Sequence, residues 1–127
     1  MSARGRSSGP GSSGPRVVAL GGGHGLAATL RALRRVTDDV TAVVAVSDDG
    51  GSSGRLRQEF DVVPPGDLRM ALAALCGDDT WGRTWSRVVQ HRFAGSGELA
   101  GHSLGNLLIT ALRSEEHTSE LQSPECI

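Results

Sequence analysis

Val17-Val18-Ala19-Leu20-Gly21-Gly22-Gly23-His24-Gly25-Leu26 decides the fold. Four consecutive apolar residues read as a strand buried on both faces. The glycine run that follows reads as a tight turn, because glycine adopts backbone angles closed to other residues. Leu26, Leu30 and Leu33 then recur on one helical face, with Arg31, Arg34 and Arg35 on the other. Thr37, Asp38 and Asp39 close that helix, and the β-branched run Val40 to Val46 reads as a second buried strand. Strand, turn, helix and strand in about 30 residues is the size of one βαβ unit with a parallel strand pair. The expected class is α/β: a Rossmann-like parallel sheet with flanking helices, in truncated form.

Downstream, Ser47 to Gly54 (SDDGGSSG) reads as a polar loop at the C-terminal end of the second strand. Pro64-Pro65-Gly66 breaks the chain. Asp67 follows at an N-cap or first-turn position, with Leu68, Ala71, Leu72 and Leu75 as a helical stripe. Asp78, Asp79 and Thr80 suit the start of another helix, whose Trp81 and Trp85 are expected in the core. Gly101-His102-Ser103 leads into a last helix, with Leu104, Leu107, Leu108 and Ala111 expected inward.

Both ends read differently. Residues 1–15 are Ser, Gly, Pro and Arg with little to bury, and are expected to form a disordered arm. Residues 113–127 contain four of the six glutamates and no Gly, Ala or Val. The run from Arg113 to Ser123 resembles a translated sequencing-library adapter. This tail is therefore expected to be non-native, leaving Glu115, Glu116, His117 and Cys126 without function. Residues 16–112 form the expected domain.

Composition narrows the chemistry. All 13 basic residues are arginine, which excludes a P-loop or Schiff-base lysine from this chain. A formal charge of −1 gives no expectation of a nucleic-acid face. Cys76 and Cys126 offer neither metal spacing nor a disulfide framework, and suggest a reducing, intracellular setting. No apolar run approaches the roughly 18 residues of a membrane span.

Four motifs carry candidate chemistry. Gly21, Gly22, Gly23, His24, Gly25 and Leu26 place backbone N–H groups at a helix start, where phosphate binds. His24 is either a phosphate donor or an exposed loop histidine. Asp48, Asp49, Ser52, Ser53 and Arg55 lie beyond the carboxyl end of a parallel strand, where open sheets hold ligands. The acids suit sugar hydroxyls or a Mg²⁺ bridging phosphates, and the serines and arginine suit phosphate oxygens. Gly66, Asp67 and Arg69 form the third motif, in which Asp67 either caps its helix or lines a pocket with the arginine. His102, Ser103 and Asn106 open the last helix. Gly105 within it costs about 1 kcal/mol relative to alanine, so it needs a packing or ligand reason.

Taken together, GGGHGL, SDDGGSSGRLR, PPGDLR and GHSLGNLL resemble the gluconeogenesis factor (YvcK) family of bacteria. That family falls in a wider CofD-like group that includes 2-phospho-L-lactate transferase. The resemblance runs from Arg16 to Leu112. It implies a modified Rossmann-type fold that binds a UDP-sugar of the UDP-N-acetylglucosamine type. It also implies a cytoplasmic regulator needed for cell shape and wall synthesis in gluconeogenic growth, rather than an enzyme. Transferred residue by residue, it puts Gly21 to Leu26, Asp48, Asp49, Ser52, Ser53, Gly66, Asp67, His102, Ser103 and Asn106 around the pocket. The transferase branch, which moves a phospholactyl group to a deazaflavin with Mg²⁺, is the alternative. A fragment that binds nothing is the third reading. His24 departs from the threonine frequent in the family, and family members run two to three times this length.

Overall fold

The computed structural model describes residues 2–4, 14–48 and 50–122. The order is β1 (Ser2–Arg4), β2 (Val17–Gly21), α1 (Gly23–Leu33), β3 (Val40–Val44), α2 (Gly51–Phe60), α3 (Gly66–Leu75), α4 (Thr80–Gln90) and α5 (Leu104–Gln122). The β2–α1–β3 unit is present as expected. Val17, Ala19 and Gly21 pair in parallel with Val40, Ala42 and Val44. The sheet order is β1-β3-β2.

One face of the sheet carries the core. Ala19, Val40, Ala42 and Val44 pack under Leu26, Ala27 and Leu30 of α1 and Leu68, Ala71 and Ala74 of α3. The small residues let both helices lie close to the strands. The expectation of strands buried on both faces fails: Val18 is 62% and Leu20 76% exposed. Side chains alternate across a strand, and among the described residues the helices cover only one side.

Four further expectations are corrected. The N-terminal arm was expected to be disordered, but Ser2–Arg4 pairs antiparallel with Thr41 to Val43. Backbone pairing needs no apolar side chains, and the edge of β3 offers free N–H and C=O groups. Residues 5–13 lie outside the described residues. The polar loop at 47–54 ends early, because α2 begins at Gly51 and carries Ser52, Ser53 and Gly54 as buried residues. Trp81 and Trp85 are 71% and 42% exposed and stack edge-on at 5.5 Å, outside the core. The inward face of α5 is Gly105, Asn106, Ile109 and Thr110, while Leu108 and Ala111 face outward. A Cβ on Gly105 would meet the Val89 carbonyl oxygen at 2.6 Å, so α4 and α5 pack around a missing side chain. That contact, rather than leucine periodicity, sets the rotation of α5.

The composition shift at Arg113 does not interrupt α5, which continues to Gln122. The side chains of Glu116 and His117, and residues 123–127 with Cys126, lie outside the described residues. No helix among the described residues is long and apolar enough to cross a membrane.

Candidate functional site

The starts of α1, α2, α3 and α5 gather beyond the carboxyl ends of β2 and β3. Each brings one of the motifs. Gly22 is the N-cap of α1, with extended backbone, and Gly23 follows at φ +60°. A Cβ on Gly22 would sit 2.8 Å from the Ala45 carbonyl oxygen, so the turn can run against β3 only as glycine.

Asp67 ties this turn to the loop after β3. Its Oδ2 accepts the backbone N–H of Ser47 at 3.0 Å and of Asp48 at 2.9 Å. Its Oδ1 faces Gly22 and Gly23. The carboxylate is buried. The helix-capping alternative is set aside: Pro65 is the N-cap of α3, without a side-chain bond, and the acid serves a loop 20 residues away. Asp48 Oδ1 accepts from the Gly50 N–H at 3.2 Å. Its Oδ2 and the Ser53 hydroxyl both occupy the space a Gly66 side chain would fill.

A buried polar network joins α2, α3 and α5. Ser52 Oγ lies 2.6 Å from His102 Nδ1 and accepts from Asn106 Nδ2 at 3.0 Å. Arg69 Nη1 donates to Ser103 Oγ at 3.0 Å and to Asn106 Oδ1 at 2.9 Å. Ser103 Oγ also accepts the Asn106 backbone N–H at 3.1 Å, which caps the first turn of α5. All five side chains are buried. Burial, with Arg55 next in effect, pushes the His102 imidazole below its usual value and favours the neutral ring. Burial, then the charge of Arg92, likewise lowers Arg69, against a smaller opposing pull from Asp48 and Asp67.

Arg69 is the residue the motif reading underweighted. It is 6% exposed and its Nε has no hydrogen-bond partner. It forms no ion pair among the described residues. A buried cation costs several kcal/mol unless an anion balances it. The sequence signal was present in PPGDLR, since Arg69 falls one helical turn from the start of α3.

Other candidates fall elsewhere. Leu26 belongs to the core. His24 and Gly25 are exposed in the first turn of α1. Arg55 is committed to structure: Nη1 and Nη2 donate to the carbonyls of Ala100 and Glu98, both at 2.8 Å, and hold the loop before α5. Asp49 lies outside the described residues. Among the described residues no three acidic, histidine or cysteine side chains gather as a metal site. A Mg²⁺ at Asp48 would therefore take most of its oxygens from ligand phosphates and water.

Comparison with known proteins places this arrangement. The family described as 2-phospho-L-lactate transferase CofD matches residues 17–123. A Mycobacterium tuberculosis (strain ATCC 25618 / H37Rv) protein named as a candidate gluconeogenesis factor is 70% identical over 96 residues, 76% of this chain and 28% of that one. The gluconeogenesis factor of Bacillus subtilis (strain 168) is 48% identical over 98 residues, 77% of this chain and 30% of that one. A solved Bacillus halodurans protein, described as a member of the UPF0052 family, superposes with a TM-score of 0.70 at 46% identity, over 80% of this chain and 32% of that one. The chain spans less than a third of the length of these relatives.

Proposed function

The chain belongs to the 2-phospho-L-lactate transferase CofD family, and from that premise we propose that it carries the phosphate-binding side of a UDP-sugar site in a cytoplasmic regulator of the gluconeogenesis-factor type. One observation carries the reading. Arg69 is a buried guanidinium with no ion pair among the described residues, its charge only partly offset by Asp48 and Asp67, and it is netted to Ser103 and Asn106 where helix starts meet. A diphosphate would supply the missing negative charge, and the helix-start amides would share it. Asp48, half-buried alongside, is suited to sugar hydroxyls. No side chain of the network is poised as an open nucleophile, since Ser52 and His102 are both buried. That favours binding over turnover, and a role in sensing the supply of wall precursors.

The test is calorimetry with UDP-N-acetylglucosamine on this chain and on the full-length Bacillus subtilis relative in parallel. Saturable binding without turnover is expected, weakened about tenfold or more by Arg69→Met at the cost of one charge-assisted contact. Absence of binding to the full-length relative, or steady hydrolysis or transfer of the nucleotide, would remove the regulatory reading.

A second reading follows from the family description and from the Asp48 carboxylate beside Ser53. It is transfer of a phospholactyl group from a nucleotide-activated donor to a hydroxyl of a deazaflavin, with the nucleotide as the leaving group; Asp48 would help to hold a Mg²⁺ that would stabilise the departing phosphate. Product formation from those substrates by the full-length relative would establish it in place of the first.

A further inference from the structure

A second cluster of arginines forms far from those helix starts, where the C-terminal ends of α1 and α3 meet α4. Arg31, Arg34, Arg35, Arg83 and Ser86 line a cleft of about 230 Å³. Arg83 and Ser86 are shared with an adjoining hollow of about 320 Å³ that Arg87 completes. Four of the chain's 13 arginines thus face one cleft and a fifth the hollow beside it, on a protein whose formal net charge is −1. The net charge conceals this grouping, because it depends on two helices from distant parts of the sequence.

The positive charge is only slightly offset. Arg34 donates to the Ala74 carbonyl at 3.4 Å and lies 3.6 Å from Asp78, the one acid in the lining. The side chains of Arg31, Arg35, Arg83 and Arg87 make no hydrogen bond or ion pair among the described residues, and all four residues are exposed. Favourable interaction with a helix C-terminus accounts for Arg31 and Arg34. It does not account for Arg83, early in α4, being turned into the same cleft. Burial raises the Cys76 thiol, which also lines the cleft, so it adds no thiolate charge.

We infer that this cleft is a second anion site, for a compact molecule bearing two or more phosphates. Planar guanidinium groups from two helices match phosphate oxygens in pairs. The concave shape and limited volume fit a small polyphosphate better than an extended polymer, which would need a long basic track. The site is separate from the Arg69 network and does not depend on the function proposed there.

Inorganic pyrophosphate, titrated calorimetrically into the full chain at constant ionic strength with sulfate as the control anion, tests it. Binding that persists in Arg69→Met is expected, stronger than sulfate, and weakened in that background about tenfold by Arg31→Gln and separately by Arg83→Gln. These residues are exposed on different helices, so a shared loss of folding would not explain both results; unchanged melting curves check this. Arg69→Met should leave cleft binding intact. Pyrophosphate binding that is absent, no stronger than sulfate, or lost only in Arg69→Met would overturn the inference. So would a single-stranded RNA that competes with pyrophosphate and binds more tightly, since it would show an extended polymer to be the ligand.

Discussion

Ser52 Oγ and His102 Nδ1, 50 residues apart in sequence, lie 2.6 Å apart in the buried network. Asn106 already donates to the same hydroxyl, so its proton is free to go to a neutral imidazole. Arg55 and Arg92 oppose a charge on this ring, and Glu59 favours it less strongly than burial and Arg55 resist it. The imidazole therefore takes up a proton at lower pH in the folded chain than in the unfolded one. Stability from this source is complete above the unfolded value of about 6.5 and is lost as pH falls from there through the folded value. Thermal melts between about pH 8 and about pH 5 should show a falling midpoint below about pH 6.5. His102→Gln should flatten that dependence. An unchanged slope in the variant would show that His102 is not the source.

Arg69→Met should separate stability from binding. Removing a buried charge relieves its desolvation, while Ser103 and Asn106 each lose a donor. The two effects should leave unfolding free energy within about 2 kcal/mol of the parent. A loss beyond about 4 kcal/mol in denaturant melts would make Arg69 a structural residue first.

Asp67→Ala should cost about 2 kcal/mol, because it leaves the Ser47 and Asp48 amides without their buried acceptor. Amide hydrogen exchange should quicken locally at Ser47 and Asp48. Unchanged exchange there would show that Asp67 does not hold the loop.

Two glycines should respond to alanine in opposite directions. Gly25 has open space around its missing side chain, so Gly25→Ala should stabilise α1 by about 0.5–1 kcal/mol. Gly105→Ala gains the same helix propensity but drives a methyl into the Val89 carbonyl at 2.6 Å. It should destabilise by about 1–3 kcal/mol. Thermal melts of the two variants decide both signs.

Much of the candidate site was legible because its motifs sit at turns and helix starts, where residue type is constrained locally. Ser52, Ser53, Asp67, His102, Ser103 and Asn106 converge as the motifs suggested. Leu26 and Arg55 did not join them, since one was needed in the core and the other to hold a loop. The weight of Arg69 was hidden, because its burial is a property of three helices together.

The sequence by itself determined the β2–α1–β3 unit, the glycine turn and the start of α3. Each is a local pattern of apolar spacing and backbone freedom. Only the tertiary structure decided which face of α5 turns inward, that Trp81 and Trp85 stay outside, and that β2 and β3 are covered on one side. It also decided that four arginines share a cleft. These depend on close approach between elements distant in sequence, such as Gly105 against Val89, and a periodicity within one element carries no record of its neighbour.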